Sequence, residues 1–199
     1  MDFTESVAIT SRTLRVSMIK IPIVQYPNDI LRKEIPHIEN IDDSVKDAIW
    51  QISRRLPFCQ GFGLAANQIG FELPIFGYID LKNRRHKFFI NPVIKESSDD
   101  MFLYDEGCLS IPGFYFPVER PNTILIEALD KDGNVFEMEA SGLLGRIFQH
   151  EVDHLNGKLV IDLLSEDQLG YFEVQQMALA SYRKVSSGKS KPKPKKKKR

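Results

Sequence analysis

The hydrophobic positions of the chain predict a first helix just after Asp42 and Asp43, whose carboxylates can cap its N-terminus. Four apolar residues then recur at spacings typical of one face of an amphipathic helix, namely Val45, Ile49, Ile52 and Leu56. Pro57 ends the pattern, because proline removes a helical hydrogen bond. We expect this helix to pack on the protein core by that face.

A second helix is predicted between Ser141, a candidate N-cap, and Asn156-Gly157, a candidate left-handed C-cap. One stripe of this helix combines two apolar residues with two histidines at helical spacing: Leu143, Ile147, His150 and His154. Because the apolar part of the stripe must face the core, we expect both histidines to point inward.

Four apolar stretches separated by turn sequences predict strands at residues 73–80, 86–91, 123–129 and 135–140. Asp130–Asn134 makes the turn of the second pair, which favours antiparallel pairing. A capping box at Ser165–Gln168 predicts a C-terminal helix to about Lys184. The predicted class is α+β, with antiparallel β-sheets packed around the central histidine-bearing helix, an N-terminal helix and a C-terminal helix.

The 199 residues are 42% hydrophobic, which suits one packed domain. No run of about 18 apolar residues and no secretory signal is present, so we expect a soluble protein with no membrane contact. Residues 1–17 are interpreted as an N-terminal extension, 18–184 as the one folded domain and 185–199 as a disordered lysine-rich tail. From Arg183 onward ten residues are basic and none is acidic, so the rest of the chain carries an excess of about ten negative charges.

The second helix carries the motif H-E-x-x-H as His150, Glu151 and His154. Histidines four residues apart lie on one face of a helix, so both imidazoles can reach one metal ion. Glu151 can then handle the protons of a metal-bound water, which makes this half of a hydrolytic site. The alternative is a chance match with two histidines in the core, and a third ligand is needed to decide.

Two other stretches carry candidate chemistry. Residues 61–70 are dense in glycine and alanine, which suits either a binding loop or a tight structural loop, and in it Gln68 can offer its amide to a substrate or face water. Cys108 follows Gly107, which favours an exposed thiol able to bind metal; a small buried hydrophobe is the alternative. We assign Cys59 to the role of a small buried hydrophobe.

Together the three stretches resemble the peptide deformylase family, whose signature is G-x-G-L-A-A-x-Q, then E-G-C-L-S, then H-E-x-D-H-L-x-G. This chain has them in that order at Gly61–Gln68, Glu106–Ser110 and His150–Gly157. The similarity runs from about Ile21 to Arg183. It implies antiparallel sheets around a metal-binding helix, and a metal-dependent hydrolase that removes the N-formyl group from the N-terminal formylmethionine of newly made polypeptides and releases formate.

By that resemblance the metal ligands are Cys108, His150 and His154. One divalent ion is implied, natively Fe(II), with Zn(II), Ni(II) or Co(II) as replacements. Glu151 takes the proton of the water and returns it to the leaving amine. The Gln68 amide and the Leu109 backbone N–H help to hold the tetrahedral oxyanion.

The candidates to line the pocket for the substrate's methionine are Phe62, Gly63, Leu143 and Ile147. Core packing is the alternative for the apolar members. Phe62 departs from the isoleucine or valine usual between the two glycines of the family. Asp153 is a candidate to orient the neighbouring ligand rather than an exposed acid, and Arg146 either flanks the pocket or faces solvent.

Two other functions stay open. A zincin-type metalloprotease shares H-E-x-x-H but takes its third ligand downstream, where this chain has no histidine. A nucleic-acid-binding protein would use the basic residues of 189–199 on phosphates. As a combination, the C-terminal helix and tail would dock a deformylase on ribosomal RNA, close to nascent peptides. We expect a bacterial cytoplasmic protein, with an organelle as the alternative.

Overall fold

The computed structural model describes residues 21–59, 61–80 and 82–187, and it confirms the α+β class. Its helices and strands in these ranges are α1 (Asp43–Arg55), α2 (Gly142–Leu155), α3 (Glu166–Ser187), β1 (Gly63–Ala65), β2 (Ile75–Asp80), β3 (Arg85–Ser97), β4 (Met101–Cys108), β5 (Ile111–Pro121), β6 (Thr123–Leu129) and β7 (Val135–Ser141). The predicted N-terminal extension and the tail from residue 188 lie outside the described residues.

The paired strands are all antiparallel, as predicted. Five of them form one sheet in the order β1-β2-β3-β6-β7, and β4 and β5 form a separate hairpin. Helix α2 packs on the sheet through Phe148, whose ring centroid lies 4.7 Å from that of Phe89 on β3. The β4–β5 hairpin lies on the other side of α2 from the sheet. The C-terminal half of α2 therefore lies between the sheet and the hairpin residue Cys108.

Helix α1 buries the face that its sequence predicted, although Ile49 on that face is only half-buried. Asp42 accepts hydrogen bonds from the backbone N–H groups of Ser44 and Val45 at 2.9 and 3.1 Å, which confirms its capping role. The helix ends at Arg55, and Pro57 lies in a following 3-10 turn. Cys59 packs against the buried hydrophobic residues around α1 but is itself only half-buried, so its thiol is less buried than predicted.

The ends of α2 agree with the predicted positions but not with both predicted mechanisms. Ser141 occupies the N-cap, yet its side chain makes no capping hydrogen bond. At the other end Gly157 has φ +68°, and a Cβ there would lie 2.5 Å from the carbonyl oxygen of Arg32. Glycine is therefore required at this position by both the left-handed backbone and the close approach of the neighbouring chain.

Several strand boundaries differ from the predicted ones. Strand β2 begins at Ile75 instead of residue 73, and β3 continues to Ser97. Strands β1, β4 and β5 were not predicted at all. The hairpin escaped prediction because it exposes Leu103 and Tyr115 while it buries Glu106 and Arg120, which reverses the usual pattern of apolar and polar faces.

The capping box at the start of α3 is present. The Ser165 N–H donates to the Gln168 side chain at 2.9 Å, and the Gln168 N–H donates to the Ser165 hydroxyl at 3.4 Å. The helix continues to Ser187, three residues beyond the predicted end at Lys184. Among the described helices, none is long and apolar enough to cross a membrane.

Candidate metal centre

Helix α2 and strand β4 bring together the three residues proposed as metal ligands. One donor atom from each of Cys108, His150 and His154 lies within 4.8 Å of the others, and all three residues are buried. The Cys108 Sγ is 3.2 Å from His154 Nε2. In a tetrahedral site with metal–sulfur and metal–nitrogen bonds of about 2.3 and about 2.0 Å, such atoms are about 3.5 Å apart. The donor set therefore fits one divalent transition-metal ion.

Cys108 is only 7% exposed, so the expectation of an exposed thiol is wrong. It ends β4, where the pleat turns its side chain toward α2 instead of solvent. Burial raises the pKa of the thiol, but the charge of His154 and hydrogen bonds from His150 and His154 outweigh burial and hold the pKa well below its usual value. The backbone N–H of Ser110 also donates to Sγ at 3.4 Å. These donors favour the thiolate, which is the form that binds metal.

The ring of His150 is oriented by Glu106. Its Nδ1 lies 2.5 Å from Glu106 Oε1, and because a carboxylate only accepts, Nδ1 carries the donated proton. Nε2 is then the ring nitrogen that can bind a metal when the imidazole is neutral. Burial lowers the pKa of His150, but hydrogen bonds to Cys108 and Glu106 raise it well above its usual value.

Glu106 is itself held by two buried arginines. Arg120 donates to both of its oxygens, at 2.9 and 2.8 Å, and Arg146 donates to Oε2 at 3.2 Å. Arg120 also donates to Asp153 at 2.6 Å, so Asp153 is connected to Glu106 through Arg120 and not by direct contact with a histidine. Burial raises the pKa of Glu106, but the bonds from His150 and Arg120 lower it far more.

Arg146 is 3% exposed, which rules out the solvent-facing alternative. Its Nη1 donates to the carbonyl oxygen of Val118 at 2.8 Å, and its Nη2 donates to that of Phe102. Arg146 therefore joins α2 to both strands of the β4–β5 hairpin. It also lines the cavity beside the histidines.

The surroundings of Glu151 are very different from those of Glu106. It is 3% exposed, and its Oε2 has no hydrogen-bond partner among the described residues. Burial raises the pKa of Glu151 to about 7, against the opposing pull of His150 and His154. A Cβ on Gly63 would lie 2.4 Å from Glu151 Oε1, so the glycine leaves the space that this carboxylate occupies.

The glycine-rich stretch also positions two amides. The Gln68 side-chain oxygen accepts from the Ala65 N–H at 2.9 Å, which directs Nε2 toward Ser110 Oγ at 3.3 Å and Cys108 Sγ at 3.8 Å. The Asn67 side chain donates to the carbonyl oxygen of His154 at 2.6 Å. This stretch is thus part of the site, which disfavours the alternative of a purely structural loop.

A cavity of about 310 Å³ opens beside the donor cluster. Nine of the residues proposed from sequence line it: Phe62, Gly63, Gln68, Cys108, Leu109, Leu143, Ile147, His150 and Glu151. His154 lies behind them within the donor cluster. The structure therefore brings together the ten residues proposed from sequence as metal ligands, catalytic groups or pocket lining.

The sequence analysis did not assign roles to Glu106, Arg120 or Asn67. A signal for Glu106 was available, because residues two apart in a strand share a face and Glu106 precedes Cys108 by two. Arg120 carried no such signal, since its contact with Glu106 depends on the unpredicted β4–β5 pairing. Asn67 acts through a backbone carbonyl 87 residues away in the chain.

Comparison with known proteins adds independent findings. Residues 20–169 match the family described as Polypeptide deformylase. The chain is 45% identical over 144 residues to the peptide deformylase of Borreliella burgdorferi, covering 72% of this chain and 87% of that protein. The crystal structure of a Legionella pneumophila peptide deformylase superposes with a TM-score of 0.73 at 33% identity, covering 84% of this chain and 98% of that one. Arabidopsis thaliana peptide deformylase 1B gives 0.75 at 33%, covering 86% and 97%.

Proposed function

The chain belongs to the polypeptide deformylase family, and we infer from this that it is a hydrolase that removes the N-formyl group from the N-terminal formylmethionine of newly made polypeptides. The products are formate and a peptide with a free amino terminus. The observation that carries this function is the convergence of Cys108, His150 and His154 on one point beside the buried carboxylate of Glu151.

We assign Cys108, His150 and His154 as the ligands of one divalent ion, with Fe(II) as the native metal and Zn(II), Ni(II) or Co(II) as replacements. A thiolate and two imidazoles suit each of these ions. When bound, the ion supplies a Lewis acid that activates water and polarises the formyl carbonyl. The support for this assignment is the donor geometry and the pKa of the Cys108 thiol, which lies well below its usual value.

Glu151 is assigned as the group that moves protons. It takes a proton from the attacking water and delivers it to the amine that leaves, a role that typically contributes 10²–10⁴-fold to a rate. Its support is its burial beside the proposed ligand His150 and its Oε2, which has no hydrogen-bond partner in the described part of the chain and can accept a proton. A neighbouring carboxylate that is fully hydrogen-bonded, such as Glu106, is poorly suited to this task.

We propose that the Gln68 side-chain amide and the Leu109 backbone N–H donate hydrogen bonds to the developing oxyanion. Gln68 is 1% exposed, and its carbonyl oxygen accepts from the Ala65 N–H, so its NH₂ group is the end that faces the donor cluster, 3.8 Å from Cys108 Sγ. Leu109 follows the ligand Cys108 directly, and both residues line the cavity. Preorganised donors of this kind are often the largest electrostatic contribution to catalysis.

The methionine side chain is assigned to the cavity wall formed by Phe62, Gly63, Leu143 and Ile147. The preference of the enzyme for a formyl over an acetyl group then follows from crowding at the donor cluster. Glu151 fills the space beside Gly63, where an added Cβ would lie 2.4 Å from its Oε1. We propose that the extra methyl group of an acetyl substrate overlaps with protein atoms in this crowded region. Hydrophobic exclusion alone discriminates only modestly, so this steric overlap is required.

Formate release tests the function directly. Protein loaded with Fe(II) under anaerobic conditions should release one formate per formyl-Met-Ala-Ser and leave the Met–Ala bond intact. The unformylated Met-Ala-Ser serves as the matched control. Cleavage between Met and Ala without formate would instead support the zincin-type protease.

We also propose that α3 and the basic tail dock the enzyme on ribosomal RNA in the bacterial cytoplasm, with an organelle as the alternative location. Eight of residues 189–199 are basic, which suits a phosphate backbone. Tyr171, Val174 and Met177 form an exposed apolar stripe along α3, with 61, 63 and 68% of each residue accessible. Such a stripe needs a partner surface.

Removing residues 187–199 should abolish cosedimentation with ribosomes and leave turnover of formyl-Met-Ala-Ser unchanged. Replacing Lys195–Lys198 with glutamine is the matched variant, and it should lessen the salt dependence of binding. Full ribosome binding by the truncated chain would refute the docking proposal. A nucleic-acid-binding protein without deformylase activity would bind RNA and release no formate.

A further inference from the structure

Tyr115 occupies an unusual position beside the metal centre. It lies directly across the β4–β5 hairpin from Gly107, the residue before the ligand Cys108. A Cβ on Gly107 would lie 2.6 Å from Cε1 and 2.9 Å from Cδ1 of the tyrosine ring. The ring therefore occupies the space that a side chain at 107 would need, and the glycine allows it to stay there.

Despite that contact, Tyr115 is 69% exposed. It lines the cavity with three other large apolar residues that are also exposed, Phe62 at 43%, Tyr104 at 46% and Leu143 at 39%. Exposed apolar groups gathered around a cavity mark a surface that binds apolar ligand groups. Asp105 lines the same cavity and gives it an acidic group.

We propose that Tyr115 is a specificity-determining residue that favours an apolar side chain directly after the formylmethionine. The proposal rests on the proposed function. With the formyl group at the donor cluster and the methionine in the cavity, the next residue must leave along the cavity rim. An apolar side chain there covers the tyrosine ring, whereas a polar one loses water and gains no matching partner from the ring. Asp105 further disfavours an acidic side chain.

The test compares formyl-Met-Leu-Ser with formyl-Met-Asn-Ser, since leucine and asparagine are similar in shape but differ in polarity. For the Fe(II)-loaded enzyme we expect kcat/KM from formate release to be about 10-fold higher for the leucine peptide, because small apolar differences are worth about 10- to 200-fold in hydrophobic pockets. Tyr115→Ala should reduce the ratio to about 2, through a higher KM for the leucine peptide at unchanged kcat. Tyr115→Phe should keep the ratio.

Trp50→Ala is the matched control, because it also removes an exposed aromatic residue, at 52%, from a helix that does not line the cavity. It should leave both peptides unaffected. An unchanged ratio in Tyr115→Ala overturns the proposal. An equal loss for both peptides also overturns it, since it would mean that the ring acts by packing on Gly107 beside Cys108. Absence of formate release from every peptide by the wild type would instead refute the proposed function itself.

Discussion

Glu106 accepts four hydrogen bonds from His150, Arg120 and Arg146, whereas one oxygen of the equally buried Glu151 has no partner in the described part of the chain. Burial raises the pKa of both carboxylates, and only around Glu106 do the partners reverse that effect. Two carboxylates of one site are thereby separated into a fixed anion and a group free to exchange protons. The first orients His150, a proposed metal ligand, and the second suits acid/base chemistry.

The two regions also differ in how they tolerate change. A buried ion network contributes little net stability, but removing one member leaves an uncompensated buried charge that costs about 3–5 kcal/mol. Glu151 Oε2 has no hydrogen-bond partner to lose among the described residues, and the carboxylate occupies the space left by Gly63. Changes near Glu106 should therefore affect folding and metal binding, and changes near Glu151 should affect the rate.

The largest expected effect in this comparison is a loss of catalytic rate in the Glu151→Gln variant. Because glutamine cannot take up and return a proton in this role, kcat for formate release should fall by about 10²–10⁴-fold. The metal content should stay at the wild-type level, since Glu151 is not among the three proposed ligands. Steady-state kinetics with metal analysis of the same preparation checks both statements. A variant that loses its ion would contradict the separation of roles.

Arg120→Met tests the region around Glu106. It removes both Arg120 bonds to Glu106 and the bond to Asp153, and leaves the buried carboxylate of Glu106 and the partly buried one of Asp153 undercompensated. We expect a loss of about 3–5 kcal/mol in the free energy of unfolding and a loss of about 10- to 100-fold in metal affinity. Urea unfolding and anaerobic metal titration are the measurements.

Arg32→Met is the matched control for that variant. Arg32 pairs with Asp162 at 2.5 Å, but both side chains are 37% exposed. An exposed pair of this kind is worth about 0–1 kcal/mol. Equal destabilisation by the two arginine variants would show that the buried network has no special role.

Gly63→Ala should lower kcat by about 10- to 100-fold, because the added Cβ must displace the Glu151 carboxylate and misplacement by about 1 Å can cost about 10²-fold. Gly170→Ala is the control, since a Cβ at Gly170 meets nothing within 4 Å. That variant should keep its rate and gain up to about 1 kcal/mol from helix propensity. An unchanged rate for Gly63→Ala would mean that Glu151 has room to move without consequence.

The smallest effect is expected for Asp153→Asn. The asparagine oxygen can still accept the hydrogen bond from Arg120, and Asp153 is partly open to solvent, with 20% of its side chain exposed. We expect a stability loss of about 1 kcal/mol and metal affinity within about 3-fold of the wild type. A loss as large as that of Arg120→Met would show that Asp153, and not Glu106, is the anion on which the network depends.

The predictability of the site from sequence follows the same division. Helical spacing alone places His150 and His154 on one face of α2, and Gly157 marks its end, so the region of Glu151 could be derived. The region of Glu106 could not, because Arg120 reaches it across a hairpin whose exposed Leu103 and buried charges reverse the expected pattern. Pairing between side chains of two different strands leaves no periodic signal in the chain.

The proposed metal centre depends most on Cys108, because it is the one proposed ligand that the hairpin contributes beside the two histidines. Anaerobic metal analysis of Cys108→Ala beside the wild type, with formate release measured on both, tests this directly. We predict one divalent ion per wild-type chain, and loss of both the ion and formate release in the variant. A Cys108→Ala protein that keeps its full ion content and its activity would contradict the proposed centre.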